Sequence, residues 1–103
     1  MQTTTVRYTV TPGAAGRNED LIRRTYEDLH RTAPAGLRYA TFVQEDGVSF
    51  VHLAMMETGE GQENPLMASP AFRTFLEGPG DRCVEPPVSA GLREVGSYRL
   101  GGG

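Results

Sequence analysis

The chain has 103 residues, 38% hydrophobic and 22% charged, with a formal net charge of -3 and a mean hydropathy of -0.39. That length holds one domain with a thin core, since a chain of this size buries only roughly 60 to 68% of the surface it exposes when unfolded. No apolar run approaches the ~20 residues of a membrane helix, and the scattered arginines form no basic stripe for a nucleic-acid backbone, so neither a membrane nor a nucleic acid is expected as partner.

All ten basic residues are arginine. The absence of lysine removes Schiff-base chemistry, pyridoxal phosphate attachment and the lysine of a phosphate-binding loop. A single cysteine, Cys83, leaves no internal disulfide and reads as a partly buried structural thiol. The opening MQTTTVRYTV lacks the basic and then continuously apolar pattern of a secretory signal, so the expected location is cytoplasmic.

Residues 3–11 alternate, with Val6, Tyr8 and Val10 on one side and Thr5, Arg7 and Thr9 on the other, the period of a strand with one buried face. Pro12 and Gly13 end it. Asn18 reads as the N-cap of a helix running to about Thr32, with Glu19 and Asp20 in its first turn, where negative charge suits the helix dipole. Leu21, Ile22, Thr25, Tyr26, Leu29 and Ala33 make its apolar stripe, while Arg23, Arg24, Glu27, Asp28 and Arg31 make its wet side.

Pro34 and Gly36 stop that helix. Leu37 to Gln44 and Val48 to Met56 follow as a hairpin turning through Glu45, Asp46 and Gly47. Both strands carry apolar residues on both faces: Leu37, Tyr39 and Val43 against Ala40 and Phe42, then Phe50, Ala54 and Met56 against Val51, Leu53 and Met55. The loop TGEGQEN holds Gly59 and Gly61, half of a dinucleotide fingerprint at the wrong end of the wrong strand. Asn64-Pro65 and Ser69-Pro70 each pair an N-cap with proline at the first helical position, so the second helix should start, break and restart. Gly78, Pro79 and Gly80 end it, Val88 to about Leu100 makes the last strand, and residues 101–103 read as a flexible glycine tail.

Strand, helix, two strands, helix, strand is the order of a ferredoxin-like α+β sandwich over residues 1–100, an antiparallel sheet with both helices on one face. The other face must be covered too, and apolar residues on both sides of the hairpin point to the same face of a second copy: a homodimer with a barrel-like centre.

The run Val51 to Glu57, the loop, and then Leu66-Met67-Ala68-Ser69-Pro70-Ala71-Phe72-Arg73-Thr74-Phe75 resemble the third strand and second helix of dimeric α/β-barrel proteins of the antibiotic biosynthesis monooxygenase type. In that family the helix carries a His-x-x-Ser-Pro-x-Phe-like segment. The resemblance implies a cofactor-independent oxygenase, without metal or flavin, in which an electron-rich phenol or quinol is deprotonated and itself reduces oxygen. This chain departs from the pattern at Leu66, where relatives often have histidine, and at Met55 and Met56, where several carry tryptophan. The haem-degrading branch relies on an asparagine, a tryptophan and a histidine at places that here look like Val6, Met56 and Phe75 or Leu76, which disfavours haem degradation.

Within such a scaffold His52, mid-strand, is the candidate base, because an unperturbed imidazole titrates near neutrality. Tyr39, on the paired strand, is the candidate to orient a substrate oxygen, with Tyr8, Tyr26, Phe72 and Met56 as candidate substrate contacts. Each has a plain structural alternative: a hydrogen-bonded histidine at the dimer face, buried tyrosines, and aromatic and methionine core packing, which extends to Phe42, Phe75, Met55 and Met67. His30, four residues after Tyr26, reads as a capping or solvent residue. Arg7 and Arg38 fall on the faces opposite Tyr8 and Tyr39 and are expected to pair with acids of a partner subunit. Two histidines and one cysteine with no local pair give no recognisable metal site, no Gly-x-Ser-x-Gly elbow supports a hydrolase, and the acids sit on turns and exposed helix faces. Three functions remain: a small cofactor-free monooxygenase acting on an aromatic or polyketide-like compound, a non-catalytic dimeric module binding a small molecule, and an isomerase or polyketide cyclase.

Overall fold

In the computed structural model, which describes residues 2–57, 65–77 and 82–99, four strands and two helices follow the expected order. Strands β1 (Gln2–Thr9), β2 (Leu37–Val43), β3 (Ser49–Met56) and β4 (Val88–Leu92) form one antiparallel sheet in the order β2-β3-β1-β4. Helix α1 (Ala15–Thr32) links β1 to β2, and α2 (Pro70–Leu76) lies between β3 and β4. Two split strand-helix-strand units thus interleave, which is the ferredoxin-like fold. No helix among the described residues is long and apolar enough to cross a membrane.

Register decides which side chains share a face. Val6 lies opposite His52, Tyr8 opposite Phe50, Thr41 opposite His52 and Tyr39 opposite Ala54. Alternation sends Tyr8, Phe50, His52, Ala54, Met56, Tyr39 and Thr41 to the side covered by the helices, where Leu21 of α1 and Phe72 and Phe75 of α2 complete the core. The opposite side carries Arg7, Arg38, Ala40, Phe42, Val51, Leu53, Met55, Val88 and Leu92.

Helix α1 begins earlier than its apolar stripe suggests. A 3-10 turn at Pro12–Ala14 leads into it, and Ala14 occupies the N-cap with no side-chain cap bond. Asn18 is therefore an interior residue, completely buried, and Glu19 and Asp20 lie past the first turn, paired with Arg23 and Arg24 on the surface. At the other end Ala33 takes a left-handed conformation (φ 45°) and donates its N–H to Leu29. Gly36 follows at φ 74°, where a Cβ would approach the Glu57 side chain and carbonyl at 3.3 Å.

Asp46 closes the hairpin, its carboxylate accepting from the Val48 and Ser49 amides and the Ser49 hydroxyl. The second helix restarts as expected: a 3-10 turn at Pro65–Ala68, then Ser69 capping α2 by accepting from the Phe72 amide. Asp28, expected on the wet side of α1, instead reaches α2, accepting from the Ser69 hydroxyl (2.9 Å) and the Ala71 amide (3.1 Å). These bonds and the Arg31 guanidinium hold its carboxyl below the usual range.

The last strand ends at Leu92, not near Leu100. Leu92 pairs with Thr3, and β1 begins at Gln2, so the antiparallel partner runs out there. Beyond it Val95 and Tyr98 are almost fully exposed. Asn64, the loop glycines at 59 and 61, the terminators at 78–80 and the glycine tail lie outside the described residues.

Candidate functional site

Five rings form a row across the helix-facing side of the sheet. Tyr26 stacks on Tyr39 (centroids 5.3 Å apart), Tyr39 on His52 (5.9 Å), His52 on Tyr8 (5.3 Å) and Tyr8 on Phe50 (5.6 Å). The row follows from register, because Thr41, opposite His52, is flanked by Tyr39, and Phe50 lies directly across from Tyr8. Phe72 meets Tyr39 edge-on, and Phe75 leans over His52 and Tyr8.

The polar atoms of that row are joined end to end. Tyr8 Oη lies 2.7 Å from His52 Nε2, Tyr39 Oη 2.8 Å from His52 Nδ1, and Thr41 Oγ1 3.0 Å from the same nitrogen. Thr41 continues to Tyr26 Oη at 2.8 Å. On the far side, Asn18 Nδ2 donates to Tyr8 Oη (3.0 Å), and Arg82 Nε donates to Asn18 Oδ1 (3.2 Å). Arg82 is itself buried: it donates to the Phe75 carbonyl (2.6 Å) and the Glu77 carbonyl (3.2 Å), and its guanidinium lies over the Phe75 ring. Among the described residues no buried side-chain nitrogen or oxygen lacks a partner.

Burial sets the protonation. His52, 4% exposed, has its pKa pulled down to about 4 by desolvation. It is neutral at neutral pH, and it is a weaker base than the free imidazole that made it the candidate base. Burial pushes the Tyr8 hydroxyl up to about 12, opposed by the Asn18 hydrogen bond, and raises Tyr39 further still. Tyr26 is raised for the same reason. At neutral pH the row is uncharged, and its permanent charge sits at the Arg82 end.

A cavity of about 350 Å³ opens at the Tyr39 and His52 end of this network. Its walls are mostly apolar, with Val6, Ala54, Met56, Leu66, Phe72, Phe75 and Leu76, and the polar side chains of Gln2 and Thr4 line it together with Tyr39 and His52. A larger, more open cleft of about 490 Å³ lies beside Arg7, Gln44, Val51 and Val88. We place the site in the smaller cavity, where hydrogen-bonding groups with displaced pKa values converge.

Of the residues expected from sequence, His52, Tyr39, Phe72 and Met56 line this cavity. His52 faces the helices, not the open side of the sheet. Tyr8 does not line it: its hydroxyl is spent behind the imidazole. Tyr26 does not either; with His30 it borders a separate hollow of about 260 Å³ under the C-terminal end of α1, which Tyr39 also touches. Phe42 and Met55 belong to the opposite sheet face, and Met67 is exposed on its 3-10 turn. The positions where the resemblance anticipates reactive side chains, Val6, Met56, Leu66 and Phe75, do surround the cavity, and all are apolar.

The sequence presents Asn18 only as a helix N-cap and gives Arg82 no role. Asn18 has the form of a helix cap, and Arg82 is one of ten dispersed arginines, so only tertiary packing distinguishes them. Cys83, half-buried, bridges to Val10, and burial raises its thiol pKa. No group of three or more histidine, cysteine or acidic residues among the described residues is arranged to hold a metal ion.

No family model and no curated protein matches the chain. Solved structures do. Rv0793 from Mycobacterium tuberculosis superposes with a TM-score of 0.72 at 16% identity, covering 93% of this chain and 96% of that one. A Nitrosomonas europaea protein provisionally named an antibiotic biosynthesis monooxygenase gives 0.75 at 18% identity, covering 92% and 99%. SnoaB from Streptomyces nogalater, described as a cofactor-independent oxygenase, gives 0.66 at 20% identity, covering 93% and 94%. Over almost its whole length, then, this chain has the ferredoxin-like fold of antibiotic biosynthesis monooxygenase-type proteins.

Proposed function

We propose that the protein is a cofactor-independent monooxygenase acting on a small aromatic or polyketide-like phenol or quinol held in the 350 Å³ cavity. The observation that carries this reading is the Tyr39–His52 pair, hydrogen-bonded at 2.8 Å and lining a mostly apolar chamber. In such a reaction the substrate ionises at oxygen and supplies the electrons that reduce O2. Where the phenol carries a CH2 carbon conjugated to the ionised oxygen, that CH2 becomes a carbonyl: one atom of O2 stays in the product, and the other leaves as water with the two hydrogens lost from carbon. The chain's part is to fix the ionised oxygen at the Tyr39 hydroxyl, which His52 holds in place, and to keep the reacting carbon against dry walls such as Phe72 and Met56.

We place the working unit in a homodimer formed through the open sheet face, where Phe42, Val88 and Leu92 are about half exposed beside Val51, Leu53 and Met55. Arg7 and Arg38 on that face would meet acids of the second copy. The single, half-buried thiol of Cys83 suits a reducing, cytoplasmic setting.

The test is oxygen uptake over the spontaneous rate with a panel of quinols. Wild type should accelerate uptake, and His52→Ala should lose about 10²-fold or more of that acceleration. Equal rates for the two proteins would remove the assigned role. A second reading, a small-molecule-binding module without turnover, draws on the apolar Val6, Met56 and Leu66 around the cavity. It predicts saturable quinol binding with no enzyme-dependent uptake.

A further inference from the structure

The hydrogen-bond chain behind the cavity has a direction, and that direction can be worked out from its one member with no choice. Arg82 is a donor only. Its Nε–H bonds the side-chain oxygen of Asn18, so the Asn18 amide must present its NH2 to Tyr8. Tyr8 Oη therefore accepts from Asn18. If Tyr8 also accepted from His52, its own hydrogen would be left in a buried place without an acceptor, against the rule that such groups are paired. Tyr8 thus donates to His52 Nε2, 2.7 Å away. Neutral imidazole has one N–H, so it lies on Nδ1 and is shared between Tyr39 Oη at 2.8 Å and Thr41 Oγ1 at 3.0 Å. Tyr39, receiving that proton, keeps its own for Thr41 or for whatever oxygen enters the cavity.

We infer that Arg82, through Asn18 and Tyr8, locks His52 in its Nδ1–H form, so that the cavity presents a polarised donor, Tyr39 O–H, to a ligand bound as an enolate or phenolate. Every bond in the series, Arg82 to Asn18 to Tyr8 to His52 to Tyr39, points its hydrogen towards the cavity, and bonds aligned in this way strengthen one another. The low basicity of His52 agrees with this, since the site then holds an oxyanion that ionises readily and does not strip a proton from an unwilling hydroxyl. Asn18 and Arg82 act here as positioning residues. The inference rests on the cavity being the substrate site and names the substrate class: a phenol or enol acidic enough to bind ionised.

Two measurements test it. First, the chain has only two histidines, so ¹⁵N–¹H correlation spectra can be assigned with His30→Gln. His52 should show Nδ1–H in wild type. Asn18→Asp keeps the shape and the Arg82 contact but removes the donor to Tyr8, leaving Tyr8 to donate to the new carboxylate; His52 should then move to Nε2–H. Second, 2-hydroxy-1,4-naphthoquinone, ionised at neutral pH, should bind wild type at least tenfold more tightly than 1,4-naphthoquinone, and in Tyr39→Phe the ratio of the two affinities should fall to about one. Nε2–H in wild type, an unchanged tautomer in folded Asn18→Asp, or no preference for the anion would each overturn the proposal. Neither readout needs turnover, so a protein that passes both and consumes no oxygen refutes the oxygenase reading and leaves this inference standing.

Discussion

Neighbouring residues of one strand face two different environments. On the helix side β3 places Phe50, His52, Ala54 and Met56, all buried, against a ring row and a hydrogen-bonded network. On the open side it places Val51, Leu53 and Met55, all half-exposed and with no polar side chain among them. The contrast separates two jobs. A polar network can be rigid only where every donor and acceptor is met, which requires the helices above it. A half-exposed apolar row such as that of β3, bordered by Arg7 and Arg38, suits association with a second copy.

The difference can be broken hardest at Phe50, 2% exposed and stacked on Tyr8. Phe50→Ala should cost about 3–5 kcal/mol, by transfer loss plus the cavity left behind, and urea unfolding should show it as a lower midpoint. Next is the pH dependence. Because the folded His52 pKa is about 4 against 6.5 unfolded, the unfolded state binds more protons between those values. Stability is full above pH 6.5 and falls as the pH drops towards 4, by on the order of 3 kcal/mol from this residue. His52→Asn should flatten that slope, and thermal melts across the window would measure it.

Tyr39→Phe sharpens the assignment within the helix side. It removes one donor to the substrate oxygen and should reduce kcat about 10²-fold with little change in melting temperature. The smallest effect on the site should come from the other face. Leu53→Asp should convert dimer to monomer in light-scattering chromatography while leaving the His52 correlation peak where it was, since the two side chains point to opposite sides of the sheet.

Much of this division is legible in sequence because strand alternation has a period of two. Val6, Tyr8 and Val10, or Phe50 and Val51, sort to faces without knowledge of the fold, and the Pro65 and Ser69-Pro70 breaks announce themselves by cap chemistry. What the pattern hides is tertiary. Asn18 resembles a cap because asparagine before an apolar run usually is one, yet the helix starts at Ala15 and the amide is needed under Tyr8. Asp28 falls on the polar stripe of α1 and is still claimed by the start of α2. Arg82 carries no local signal at all. The end of β4 depends on where its partner β1 begins, which no property of residues 93–99 could reveal.

Oxygen chemistry at Tyr39 and His52 is the activity proposed for the helix-side cavity. Mass spectrometry of a quinol or anthrone-type substrate turned over under ¹⁸O2 tests it most directly. Wild type should place one ¹⁸O atom in each product molecule faster than the uncatalysed control, and His52→Ala should fall back towards the control. Label incorporation at the same rate in both proteins, or at the control rate in wild type, would contradict it.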